Sequence, residues 1–167
     1  MSLQKLMANY AAFNLWANRT VVQWLQTKPA DVLDKEVPSG YSSIAKTLVH
    51  IWNTEVFWLL VLQEVSPPPI FKEGFEGTNE EAMNGLLRQS EQFAVYVGSL
   101  SEKGLLEMCV LDAPWMSGQL PRYEYIQHCM NHGTYHRGQI ITIGRNIGLT
   151  DPPMTDYNYY NMVVKSI

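Results

Sequence analysis

Three of the four histidines in this 167-residue chain, His128, His132 and His136, are spaced four residues apart. On a helix, residues four apart project from nearly the same face about 6 Å apart along the axis, so an adjacent pair can bind one transition-metal ion. By the same geometry His128 and His136 are about 12 Å apart, too far to share one ion on the helix face. The spacing therefore predicts a metal-binding pair, either His128 with His132 or His132 with His136.

The fourth histidine, His50, falls in another predicted helix, beside its apolar stripe, where a ring can supply a third ligand. Three neutral imidazoles with an open fourth position are typical of catalytic zinc. A di-iron centre needs Glu-x-x-His, and Glu124-x-x-x-His128 is one residue too long. Cys129 lies on the same side, but a lone buried cysteine usually packs as a small hydrophobe. The alternative is that the histidines are hydrogen-bonded core residues.

Helical spacing of apolar residues recurs in four stretches, and these must position the histidines. The stretches run from about Leu3 to Leu25, from Ser42 or Ser43 to about Gln63, from a capping box at Thr78 and Glu81 to Gly104, and from Pro121 to Gly148. The tyrosine-rich tail Asp156–Tyr160 is predicted to be extended. We therefore predict an all-α, four-helix bundle with long connections, as one domain over residues 1–167.

The connections carry weaker signals. No helical period survives between Leu105 and Leu120, where Glu107–Leu111 can form a short strand and Ser117–Gly118 a turn. In the loop that follows the second helix, Phe71 and Phe75 are expected to pack against the body of the protein.

Composition limits the function classes. Hydrophobic residues make up 46% and charged residues 17% of the chain, which excludes disorder. Twelve Lys and Arg against 16 Asp and Glu give a net charge of −4, so no nucleic-acid partner is expected. The longest apolar run, Val56–Leu62, is far shorter than the ~20 residues of a membrane span, and no secretory signal is recognisable. The chain is thus expected to be cytoplasmic, with no membrane partner and with its two cysteines as thiols.

Several large aromatic side chains fall off the apolar stripes. Trp16, Trp52 and Phe57 would form an exposed apolar patch on the first and second helices. Such a patch predicts that the protein forms a homodimer through helix faces.

The segment Asn131–Ile140, with sequence NHGTYHRGQI, resembles the C-terminal signature of the DinB superfamily of metal-dependent four-helix proteins. In that signature, His-x-x-x-His followed by Arg-Gly-Gln provides two ligands. Tyr10–Asn18 is similar to the family's first helix. Leu48–Trp58 resembles its second helix, where a histidine is followed by Glu at plus five and Trp at plus eight. The resemblance thus touches three of the four predicted helices.

The resemblance implies that His50, His132 and His136 form a metal triad, which leaves His128 as an extra histidine one turn upstream. The ion it implies is divalent, with zinc first and nickel, iron or manganese as alternatives. Some relatives, including a maleylpyruvate isomerase and S-transferases, act on low-molecular-weight thiol conjugates. The implied activity is therefore that of a metal-dependent transferase or hydrolase with a small-molecule substrate, such as a thiol. The alternative is a non-catalytic, dimeric helical bundle that serves interaction or stress-associated metal binding.

The same three segments hold candidates for residues that support the metal ligands from outside, with surface or packing roles as the alternative. These candidates are Asn14, Asn18, Glu55, Arg137 and Gln139. Gly133 and Gly138 fall inside the predicted fourth helix, where glycine costs about 1 kcal/mol relative to alanine, so close approach of another part of the chain is expected there.

Overall fold

The computed structural model describes residues 2–65 and 75–165, which are mostly helical. Its elements are α1 (Leu3–Gln26), α2 (Ala30–Leu33), α3 (Ile44–Leu62), α4 (Asn79–Ser99), α5 (Glu102–Leu106), β1 (Met108–Ala113), β2 (Met116–Pro121), α6 (Arg122–Asn146), α7 (Tyr157–Tyr159) and a π-helical turn at Tyr160–Val164. Among the described residues, no helix combines the length and hydropathy needed to cross a lipid bilayer.

Side chains at the predicted positions start the long helices. The Ser43 hydroxyl accepts a hydrogen bond from the amide of Lys46 at the start of α3. Thr78 and Glu81 form the predicted capping box at the start of α4. Pro121, predicted as the first residue of the fourth helix, instead ends β2 and precedes the helix, which begins at Arg122.

The long helices α1, α3, α4 and α6 pack side by side, and each makes its main contacts with two of the others. Helices α4 and α6 each contact both α1 and α3. Residues 27–43 therefore connect α1 to α3, which is not one of the two long helices that α1 mainly contacts. Helices α3 and α6, which carry the four histidines, lie next to each other.

A small antiparallel sheet of β1 and β2 corrects the prediction of an all-α fold. Buried and exposed residues alternate along β1, with Cys109 and Leu111 facing inward. This strand was predicted. The Ser117–Gly118 turn is wrong, because Gly118 pairs with Leu111 inside β2 and the chain turns between Ala113 and Met116. Every residue of β2 before Pro121 is exposed, so hydropathy gives no sign of this strand.

The C-terminal tail is helical, not extended as predicted. The Asp156 carboxylate accepts hydrogen bonds from the amides of Asn158 and Tyr159 and so starts α7. The buried Tyr160 ring then packs against Phe13, with 5.7 Å between ring centroids. The tail is helical because a cap begins it and the side of α1 offers an aromatic surface to cover.

The predicted exposed aromatic patch is wrong as well. Phe57 is only 3% exposed. Trp16 is half-buried, because Tyr160 from the tail covers its ring at a centroid distance of 5.3 Å. These two aromatic residues are covered within one chain.

Trp52 is half-buried and lies over α4 at Gly85, where a Cβ atom would be 2.5 Å from the indole ring. Phe75 packs edge-on against the same indole at 5.6 Å, as predicted. The predicted packing of Phe71 falls outside the described residues.

Candidate metal centre

His50 on α3 and the pair His132 and His136 on α6 bring three imidazole rings together. The Nε2 atom of His132 lies 3.0 Å from Nε2 of His50 and 3.0 Å from Nε2 of His136. The candidate ligand atoms of the three residues all lie within 4.8 Å of one another. Zn–N bonds of 2.0–2.1 Å in a tetrahedral site place neighbouring nitrogens roughly 3.3 Å apart. The cluster is therefore compatible with one ion between the three Nε2 atoms.

The local environment keeps these rings neutral. Burial, together with the nearby His136, lowers the pKa of His50 to about 4. Burial and repulsion from the other three histidines lower the pKa of His132 to about 3. Burial also lowers the pKa of His136, and the hydrogen bond that its ring donates to Gln139 opposes this shift. Metal binding requires deprotonated imidazole nitrogens, so all three rings are ready to bind at neutral pH.

Two neighbours hold the rings from outside the cluster. The Tyr41 hydroxyl lies 2.7 Å from Nδ1 of His50, and the two rings are stacked with centroids 4.1 Å apart. The Gln139 Oε1 atom lies 2.6 Å from Nδ1 of His136, while Gln139 Nε2 donates to the Tyr135 hydroxyl at 3.0 Å. Because a carbonyl oxygen only accepts, Nδ1 of His136 carries the hydrogen and its Nε2 presents a lone pair to the cluster. Metal-binding histidines are usually held in this way.

His128 and Cys129 lie outside the cluster. The His128 side chain is exposed, and its ring packs edge-on against Trp58 with centroids 4.8 Å apart. Its centroid is 6.3 Å from that of His132. Cys129 is a buried thiol, and burial raises its pKa well above the ordinary value. Of the two pairs that the spacing allowed, the structure brings His132 and His136 to His50.

Of the five residues proposed to support the ligands, Gln139 contacts a triad ring. The other four form a separate buried network, and their side chains hydrogen-bond to one another and not to the imidazoles. Sequence reasoning missed Tyr41, a residue of the α2–α3 connection. No spacing rule connects a loop tyrosine to a histidine nine positions later.

The two α6 glycines singled out from the sequence, Gly133 and Gly138, differ in the space around them. A Cβ atom at Gly133 would lie 2.9 Å from Oδ1 of Asn14 and 3.1 Å from Nη1 of Arg137, so the predicted close approach is real at this position. A Cβ atom at Gly138 would meet nothing within 4 Å, and the expectation of a close approach is wrong there.

The DinB family model matches residues 1–163. The chain belongs to the DinB family. The protein DinB of Bacillus subtilis (strain 168) is 29% identical to it over an alignment of 163 residues, and the match covers 92% of this chain and 92% of that protein. The crystal structure of YjoA, a DinB-like protein from Bacillus subtilis, superposes with a TM-score of 0.65 at 18% identity. That match covers 88% of this chain and 97% of YjoA, and it shows the fold.

Cavities lie on both sides of α6 in the described part of this DinB-family chain, and two of them bear on the site. One of about 350 Å³ is lined by Tyr135 and Gln139 and by the loop residues Pro38 and Ser39. The other, about 730 Å³, lies between α1, α6 and the segment 153–157, and no histidine lines it. Gln139 thus links the candidate metal centre to the smaller cavity.

Proposed function

We propose that this protein binds a divalent metal ion through the Nε2 atoms of His50, His132 and His136 and acts as a metal-dependent transferase or hydrolase on a small molecule. The observation that carries this proposal is the convergence of three neutral imidazole nitrogens from two neighbouring helices. Zinc suits three imidazoles with an open position best, and nickel, iron or manganese are the alternatives.

The hydrogen bonds of the three rings favour a cation between them. Nε2 of His132 faces two other Nε2 atoms at 3.0 Å. It can donate one hydrogen or present one lone pair, while Nε2 of His136 presents a lone pair because Gln139 holds the hydrogen on Nδ1. At most one of the two contacts is then a hydrogen bond. With a positive ion between the rings, the Nε2 lone pairs of all three histidines can point at the ion, and both close contacts become favourable.

The chemistry that we propose uses the open position of a three-histidine site. An ion there lowers the pKa of a thiol or water and so supplies a stronger nucleophile at neutral pH. Tyr41 and Gln139 keep the rings of His50 and His136 oriented. His128, exposed one turn from His132, lies where it can contact a substrate at the rim. A low-molecular-weight thiol is the substrate class that we propose, on the basis of family membership.

Elemental analysis of protein purified without a His tag tests metal binding. We expect about one equivalent of a divalent ion per chain, lost in the triple variant of His50, His132 and His136 to alanine. Less than about one-tenth equivalent after reconstitution with several divalent ions would contradict the proposal and favour the non-catalytic alternative. A panel of thiols with electrophilic acceptors, compared between wild type and His50→Ala, then tests the reaction class.

We also propose a four-helix bundle, a homodimer and a cytoplasmic location. The contacts of each long helix with two others support the interpretation of these helices as one four-helix bundle. Exposed apolar residues on the hairpin, among them Val110, Trp115 and Met116, support a homodimer. Sedimentation equilibrium that gives a 19.1 kDa species at tens of micromolar would contradict the dimer. A cytoplasmic location stays a prediction from the sequence.

A further inference from the structure

A buried carboxylate and a buried guanidinium face each other across two asparagine side chains beside the histidine cluster. The Glu55 carboxylate on α3 accepts hydrogen bonds from Nδ2 of Asn14 at 2.7 Å and of Asn18 at 2.8 Å. Its other oxygen accepts from the Ser90 hydroxyl on α4 at 2.7 Å. Arg137 on α6 donates from Nη1 to Oδ1 of Asn14 at 2.7 Å and of Asn18 at 2.8 Å. All four long helices contribute to this network.

The network has one permitted arrangement. A guanidinium can only donate, so each asparagine must turn its oxygen towards Arg137, and its nitrogen then donates to Oε1 of Glu55. Both charged side chains are at most 3% exposed, so water cannot replace a lost partner. Moving Arg137 away from the asparagines leaves a buried charge unpaired, which is strongly unfavourable.

The network is joined rigidly to the metal-binding side chains. Arg137 directly follows His136, so its direction differs by about 100° around the same helix. At Gly133, next to His132, α6 comes so close to α1 that a Cβ atom would lie 2.9 Å from Asn14 Oδ1. On α3, Glu55 lies five residues after His50. Fixing Arg137 against Glu55 therefore fixes how both helices are turned.

Small rotations would matter at this distance from the helix axis. A turn of about 20° moves an atom about 6 Å from the axis by roughly 2 Å. That displacement is large compared with the 3.0 Å that separates the Nε2 atoms of His50 and His132.

We propose that Glu55 and Arg137, bridged by Asn14 and Asn18, are positioning residues that set the rotation of α6 against α3 and so hold His132 and His136 at His50. This inference rests on the proposed metal centre. It assigns to the network a role beyond stability, because hydrogen bonds are directional and favour one rotation of α6, whereas apolar contacts are non-directional.

Arg122 offers a matched control. It lies on the same helix, is 6% exposed, and donates to backbone oxygens of Leu62 at 3.1 Å and Gly104 at 2.7 Å, away from the histidines. We compare Arg137→Met with Arg122→Met for the midpoint of unfolding in urea and for the Kd of zinc, measured where both variants are folded. Both should lose stability. Arg137→Met should bind zinc about tenfold more weakly or worse, and Arg122→Met within about threefold of wild type.

Equal zinc affinities of the two variants would overturn the inference, since the network would then serve stability alone. If Arg137→Met does not fold, Arg137→Lys, which keeps the charge but loses the planar fork, takes its place with the same criteria. Failure of wild type to bind zinc, nickel, iron or manganese would contradict the proposed function instead. In that case crystal structures of the metal-free variants decide: the distance from Nε2 of His50 to Nε2 of His132 should widen when Arg137 is changed and stay unchanged when Arg122 is changed. An unchanged distance in both overturns the inference.

Discussion

Nε2 of His50 lies 3.0 Å from Nε2 of His132, although 82 residues separate the two histidines in the chain. The contact joins α3 to α6 and places His50 beside the lower-pKa ring of His132. It also divides the histidines of α6 into two groups: His132 and His136 belong to the cluster with His50, and His128 does not. The effects of substitutions should follow this division.

We expect His136→Ala and His128→Ala to differ sharply in zinc affinity. Loss of His136 removes one of three ligands and should weaken binding by orders of magnitude. Loss of His128 removes an exposed ring packed on Trp58 and should cost at most about tenfold. Calorimetric zinc titration of both variants measures the difference. The opposite ranking would mean that His128 and His132 are the binding pair.

The outer partners of the triad should matter less than the ligands but measurably. Tyr41→Phe keeps the ring stacked on His50 and removes the hydroxyl that lies 2.7 Å from Nδ1. Gln139→Leu removes the acceptor at Nδ1 of His136. Each should weaken zinc binding by roughly 10- to 100-fold. Tyr96→Phe, which removes a half-buried hydroxyl that donates to the backbone oxygen of Leu62 at 2.6 Å, is the control. Affinities equal to that of the control would show that the two partners do not support the ligands.

The two glycines of α6 should respond to alanine in opposite directions. Gly133→Ala places a methyl group against Asn14 Oδ1, which the buried network holds in place, and should lower the free energy of unfolding by about 1–3 kcal/mol. Gly138→Ala meets open space and should raise it by up to about 1 kcal/mol through better helix propensity. Urea unfolding curves of both variants test this. A stabilising Gly133→Ala would contradict the tight contact between α1 and α6.

Acid should destabilise the metal-free protein through the triad. Because the folded-state pKa values of His50 and His132, about 4 and about 3, lie below the ordinary 6.5, the unfolded chain binds protons that the folded chain does not. The free energy of unfolding therefore falls as the pH drops below about 6.5. For half-buried rings screened by water, we expect a loss of about 1–2 kcal/mol by about pH 4.5.

Unfolding in urea with a chelator present, followed across this pH range, measures the effect. His132→Gln should flatten the fall, since it removes the ring with the lowest pKa of the triad. Parallel curves for wild type and the variant would show that the pKa of His132 is close to its ordinary value.

Local patterns in the sequence determined where the long helices lie and where α3 and α4 begin. Apolar spacing places the helices, and Ser43, Thr78 and Glu81 mark their starts, because caps and helical faces depend on residues within one or two turns. The same locality predicts that His132 shares a face with both His128 and His136. The segment Asn131–Ile140 was also enough to indicate the family, which the match over residues 1–163 shows.

Helical spacing alone could not decide which histidines meet; the family resemblance implied the triad of His50, His132 and His136, and the tertiary structure brings these three together. The spacing of α6 treats His128 and His136 alike, and the choice depends on the height at which His50 lies on the neighbouring α3. That height is set by packing between residues far apart in the chain, which no local period records. For the same reason Tyr41 was missed, the tail was predicted to be extended although it folds onto Phe13, and Glu55 and Arg137 could be named as candidates without revealing that two asparagines join them.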